Sequence, residues 1–223
     1  MTIFFKKNIK KTDIYIMKVQ KSSKSFKISF VLTALMTALN SFLFFSCVSS
    51  SQHEQSQTCS RELLEKGTKS ESQLAEFFIS ENPEISLSRV KSLAKDYVTE
   101  AQTEGINSDV AFVQMCLETG FLKFGNLVKP EWHNYCGLGA MNAENPGEKF
   151  KDQKTGVRAH IQHLQAYATT QDVNLKQPLV DPRYSWVHKA KFANTVFDLA
   201  GTWAMDPDYG KKLDTLLSKL ENF

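Results

Sequence analysis

Glu118 is the residue whose setting calls for a chemical explanation. It stands in "QMCLETGFLKFGN", residues 114–126, after a run from Val110 to Leu117 in which only Gln114 is strongly polar. A helix that is apolar all round is buried, so a carboxylate in its last turn is costly to ionise. Burial disfavours the charged form, and the negative end of the helix dipole acts in the same direction. A carboxyl kept protonated near neutral pH beside a cleft is the general acid that glycosidic cleavage needs. The plain alternative is a glutamate on the one wet side of the helix, with no role.

Other residues that could do chemistry form weaker patterns. His160 and His163 lie three apart on a helical stretch, as a metal pair would, but no third ligand accompanies them. Zinc takes at least three protein ligands. They read as packing and cleft-edge hydrogen-bonding residues, and neither metal nor cofactor is expected. Gln162 reads as structural, with a sugar contact as the second option. "DPRY", holding Asp181 and Arg183, reads as a local turn with an ion pair. The four cysteines show no metal-ligand spacing. Cys116 with Cys136 is the pair to test for a disulfide, with buried free thiols the equal alternative. There is no internal repeat, no glycine-rich phosphate loop and no convincing Ser–His–Asp order.

The elements that must position Glu118 are helices. "ESQLAEFFIS" is a short one. In "SLSRVKSLAKDYVTEAQTEG", Val90, Leu93, Ala94, Tyr97, Val98 and Ala101 recur with helical period, and Gly105 supplies the stop. The Glu118 helix starts at an N-cap, Asn107 or Ser108, and ends at Gly120. Residues 121–155 show no helical period and suggest loops with a small β-hairpin. "GVRAHIQHLQAYATTQ" is helical again. "KFANTVFDLAG" reads as a helix ending at Gly201. The last helix opens with Asp206 as N-cap and Pro207 at its first position, and buries Leu213, Leu216, Leu217 and Leu220. The expected fold is therefore mainly α, a helical domain over residues 71–223 with a small irregular or hairpin lobe.

The N-terminal part differs in kind. Residues 1–27 hold eight lysines and one acid, and residues 28–46 form nineteen consecutive residues without a charge. A basic region before an apolar one makes an export signal; a retained spanning helix is the alternative. Met17 is a second possible start. "FFSC" resembles a lipobox, which assigns residues 1–46 to a lipoprotein-type signal and Cys47 to lipidation. Residues 47–70 then form a flexible tether with a reach of roughly 25–30 Å. The expected location is an exported, membrane-anchored lipoprotein facing the periplasm or cell wall. Of the 27 Lys and Arg and 24 Asp and Glu, eight lysines and one aspartate precede Val48, leaving 19 against 23 and a net charge of −4. That balance gives no basic stripe for nucleic acid.

"LETGFLKFGN" and "NYCGLGA", with "GVRAHIQHLQAYA", "DPRY" and "LAGTWAMDPDYGKKL", occur in that order across about residues 75–222. Together they resemble the glucosaminidase-domain family of bacterial cell-wall hydrolases, glycoside hydrolase family 73. The resemblance implies a lysozyme-like helical lobe with a small second lobe. It also implies hydrolysis of the β-1,4 bond between N-acetylglucosamine and N-acetylmuramic acid in peptidoglycan glycan strands. Glu118 maps onto the general acid and Tyr209 onto the cleft tyrosine. Asn134 and Tyr135 would shape the floor, and Trp203 would be a cleft or supporting aromatic. Many members place a second carboxylate in the small lobe. Here Glu144 and Glu148 are the candidates, with Asp152 weaker, and none sits in an alignable motif. If none serves, the substrate's own N-acetyl group assists. The rival readings are a muramidase or lytic transglycosylase on the same fold, and a non-catalytic wall-binding module in envelope assembly.

Overall fold

The computed structural model describes residues 58–223. The export signal, Cys47 and the first part of the expected tether lie outside the described residues. Among the described residues there are six α-helices: α1 Glu71–Glu81, α2 Leu87–Glu104, α3 Ser108–Thr119, α4 Gln153–Ala168, the single turn α5 Tyr184–Val187, and α6 Tyr209–Leu220. Among the described residues no helix is long and apolar enough to cross a membrane.

Local sequence sets the helix ends. Ser70 and Gln73 form a reciprocal capping box on α1. Asn107 Oδ1 accepts from the amides of Asp109 and Val110 at the start of α3. Gly105 and Gly120 close α2 and α3 in the left-handed conformation. The apolar composition of α3 is explained by its place: it touches α1, α2, α4 and α6, and Val110 to Cys116 are all buried.

The small lobe holds no β-hairpin: among the described residues it contains one isolated antiparallel bridge, Ala140 to Pro146. Gly139 and Gly147 on either side have positive φ, which breaks the extended backbone that paired strands need. The helix expected in "KFANTVFDLAG" is one 3-10 turn, Val196–Leu199. The flanking backbone is engaged elsewhere: Asn194 O accepts from Leu63 N, Ala193 N donates to Tyr167 O, and Val196 N to Arg61 O. Helix α6 begins at Tyr209 rather than Pro207, because Asp206 to Asp208 forms a turn in which Asp206 Oδ1 accepts from Asp208 N at 2.9 Å.

Residues 58–70, expected as tether, pack onto the domain. Cys59 and Leu63 are buried. Arg61 pairs with Asp214 at 2.7 Å and Glu221 at 2.5 Å, both on or beside α6. Buried Asp109 accepts from the amides of Thr68 and Lys69. Polar composition suggested a free chain, but these polar groups bind long-range partners in the fold. Cys116 and Cys136 are both buried free thiols.

Candidate active site

Helix α3 ends in an unusual backbone turn that fixes Glu118. Gly120, Phe121 and Leu122 all have positive φ, at 56°, 55° and 63°. Such conformations persist in non-glycine residues only when the surroundings over-determine them. Here Thr119 Oγ1 donates to Met115 O at 2.7 Å and accepts from Leu122 N at 2.9 Å. Asn82 Nδ2 donates to Phe121 O at 2.8 Å, and the Phe121 ring packs on Phe77 and Phe78. The last turn of α3 is therefore pinned to α1.

Glu118 lines a groove of about 600 Å³ together with Lys123, Phe124, Asn134, Cys136, Ala140 and Trp203. Its Oε1 accepts two hydrogen bonds, from Trp203 Nε1 at 3.0 Å and from the Tyr209 hydroxyl. Among the described residues, Oε2 accepts none. Burial, the largest influence, holds the carboxyl above its ordinary pKa, and the bonds from Tyr209 and Trp203 draw it partly back. With both donors on Oε1, the acidic proton belongs on Oε2.

Behind Tyr209 runs a buried chain that sequence reasoning missed. Gln114 Nε2 donates to the Tyr209 hydroxyl at 2.9 Å, Gln114 Oε1 lies 3.0 Å from His160 Nε2, and His160 Nδ1 lies 2.9 Å from the Tyr97 hydroxyl. Gln114, His160 and Tyr97 are all 0% exposed. Each direction follows from the carboxyl end. The Tyr209 hydroxyl donates its hydrogen bond to Glu118, so Gln114 must present its NH2. Its oxygen then needs Nε2–H of His160, and Tyr97 donates to the bare Nδ1. Burial, with neighbouring His163 adding to it, pushes the His160 pKa down to about 3, so the ring stays neutral. The clue in the sequence was Gln114 itself: the one polar residue of the helix interior, four before Glu118 and so on the same face.

Trp203 is held from α4. Its ring lies 5.8 Å from His160, 5.0 Å from His163 and 5.2 Å from Tyr167. His163 Nδ1 donates to buried Asp181 at 2.8 Å. The turn expected at "DPRY" is present, with Asp181 Oδ1 accepting from Arg183 N at 2.8 Å, but the expected ion pair with the Arg183 side chain is not formed: the other carboxylate oxygen bonds His163 Nδ1. Gln162 is structural: it accepts from the amides of Val180 and Asp181 and donates to Pro178 O.

The small lobe forms the facing wall. Asn134 lines the groove, but its amide is spent on backbone, donating to Leu138 O and Glu148 O and accepting from Leu138 N. Tyr135 packs inward against Tyr97. Gly156 of α4 admits this lobe closely: a Cβ there would fall 1.8 Å from His133 O. Glu144 is exposed, and Glu148 is half-buried with its carboxylate beside Gly139. Neither lines the groove. Asp152 caps α4 through Thr155 N. Among the described residues no cluster of three His, Cys, Asp or Glu suits a metal ion.

A family model for glucosaminidase, described as mannosyl-glycoprotein endo-beta-N-acetylglucosaminidase, matches residues 94–222. That span contains Glu118, Trp203, Tyr209 and the whole groove. The chain belongs to this glucosaminidase family. Membership implies a glycan hydrolase. A protein of Borreliella burgdorferi, itself described only as an uncharacterized protein, is 42% identical over 158 residues, which is 71% of this chain and 76% of the relative. No solved structure matches the chain.

Proposed function

We propose that this glucosaminidase-family chain is a peptidoglycan hydrolase that cleaves the β-1,4 bond between N-acetylglucosamine and N-acetylmuramic acid. The groove between the helical and small lobes is read as a lysozyme-like glycan cleft. Glu118 is the general acid, and the observation that carries the reading is its setting. A buried carboxyl that lines the groove takes two donors on one oxygen, which leaves the other free to carry the acidic proton. That proton passes to the glycosidic oxygen as the C1–O bond breaks.

Glu118 is the one carboxylate lining the groove among the described residues. We therefore assign the second role to the substrate. Its 2-acetamido oxygen attacks C1 as the leaving group departs, and water then opens the cyclic intermediate while the Glu118 carboxylate accepts a proton from that water. Trp203 supports the sugar at the cleavage point, and Tyr209 stabilises the carboxylate formed when Glu118 gives up its proton. No cofactor takes part. The N-terminal sequence supports export and lipid attachment at Cys47, which would keep the domain near glycan strands outside the cytoplasm.

The test is product analysis. Purified peptidoglycan is digested, the products are reduced with borohydride, and the reduced sugar is identified by mass spectrometry, with Glu118→Gln in parallel. Reduced N-acetylglucosamine ends, absent with the variant, are expected. Reduced N-acetylmuramic acid ends would move the assignment to a muramidase. Wall binding without products would leave a non-catalytic binding module.

A further inference from the structure

The groove does not stop at Glu118. A second hollow of about 230 Å³ shares Cys136, Gly137, Ala140 and Trp203 with the first and so continues it past Trp203. Its outer end is lined by Arg183, Trp186 and Lys191. Trp186 is 62% exposed, which is unusual for the largest apolar side chain. Two cations lie against its ring: Arg183 Cζ at 4.8 Å from the centroid and Lys191 Nζ at 5.9 Å.

The charges here are unbalanced. Among the described residues the Arg183 guanidinium makes no hydrogen bond and no ion pair. Lys191 Nζ donates to Thr202 O at 2.7 Å, which fixes the ammonium and leaves it further protons to give. No carboxylate lines this hollow. Asp181, two residues before Arg183, spends its oxygens on His163 and on Arg183 N. Yet residues 48–223 carry four more acids than bases. A cationic end of a groove on an acidic domain marks where the ligand, rather than the protein, supplies the negative charge.

We propose that Arg183, Trp186 and Lys191 form a subsite that binds a carboxylate borne on a branch of the glycan strand. This rests on the glycan-hydrolase reading above and deepens it. Arg183 lies against the indole with its N–H fork free, the arrangement that suits bidentate carboxylate binding. Trp186 serves both as the platform that holds the guanidinium and as an apolar surface for the sugar carrying the branch. A neutral glycan leaves both cations unanswered, so the subsite selects a charged strand over an uncharged one of the same backbone. In peptidoglycan that carboxylate is either one on the peptide stem or, where the stem has been removed and its amide bond cut, the lactyl group of muramic acid.

The test measures binding rather than turnover. The full chain carrying Glu118→Gln is titrated with three glycans of similar length: strands with stems intact, strands stripped of stems by an amidase, and neutral chitin oligosaccharide. The quantity read is the ratio of affinity for charged strand to that for chitin. Arg183→Gln is expected to lower the ratio about fivefold and Arg183→Glu about twentyfold or more. Rising salt should lower it in the parent but not in Arg183→Glu. A fall on stripped strands assigns the lactyl carboxylate; a fall only on stemmed strands assigns the stem. Arg183→Gln removes no hydrogen bond of the fold, so it decides the matter if Arg183→Glu fails to fold. An unchanged ratio in the Arg183 variants overturns the subsite while leaving the glucosaminidase reading intact. A parent that binds none of the three glycans overturns both.

Discussion

Two carboxylates, one lining the groove and one in the small lobe away from its lining, have very different surroundings. Glu118, at the end of α3, receives Trp203 and Tyr209 on one oxygen, and behind Tyr209 a buried chain runs through Gln114 and His160 to Tyr97. Glu148, in the small lobe, lies half-buried beside Gly139 with no hydrogen bond to its carboxylate among the described residues. The helical wall draws side chains from α2, α3, α4 and α6 onto one acid. The small lobe uses its polar groups, Asn134 above all, to hold its own turn. Packing and directed hydrogen bonds set Glu118 apart from a carboxylate that merely lies in the neighbouring lobe.

Substitutions along the helical wall should show effects that fade with distance from the acid. Glu118→Gln keeps the shape and removes the proton, and should lower turnover by ~10²–10⁴. Tyr209→Phe should lower turnover by about 10². It also removes a bond that favours the charged carboxylate, so the Glu118 pKa rises. A general acid works only while protonated, so the alkaline fall of the rate should move to higher pH in this variant. Gln114→Met leaves Tyr209 and His160 each short of a buried partner. Folding stability should drop by about 1–3 kcal/mol, measured by urea unfolding, with turnover down roughly tenfold.

Acid probes the far end of the chain. The His160 pKa is depressed to about 3 from an ordinary 6.5. Below pH 6.5 the unfolded chain therefore takes up a proton that the folded ring refuses. Its contribution to stability is complete above that pH and is lost as pH falls towards 3, by up to about 1.4 kcal/mol per unit. Urea midpoints compared between about pH 7 and 5 should fall more steeply for the native chain than for His160→Asn. On the small lobe, Glu144→Gln and Glu148→Gln should each change turnover by less than about threefold, the scale of a surface substitution. A large loss at either would erase the contrast between the two walls and return the second acid to the small lobe.

The same contrast governs what could be read in advance. Helices α1 to α4 were legible because their apolar spacing and caps are local signals: Asn107, Gly105 and Gly120 each mark an end. Glu118 stood out for a related reason, as a charge in an apolar helix. The segment 191–201 reads as a helix because its apolar residues mimic one, while its backbone bonds to Arg61, Leu63 and Tyr167, which lie far away in sequence. The packing of residues 58–70 was hidden for the same reason. In the site, Gln114 and His160 were each noticed but not joined, since their bond spans 46 positions. Trp203 and Tyr209 were named from the resemblance, and no spacing rule places them on Glu118 Oε1.

Glu118, as proposed, is a buried acid protonated where an ordinary glutamate is not. The most direct measurement is a 13C NMR titration of the Glu118 side-chain carboxyl in the full chain, assigned by its loss in Glu118→Gln. The account expects a midpoint clearly above the ordinary glutamate value of about 4.3, coinciding with the alkaline fall in the peptidoglycan hydrolysis rate. A midpoint at or below that value, with hydrolysis still proceeding at neutral pH, would contradict it.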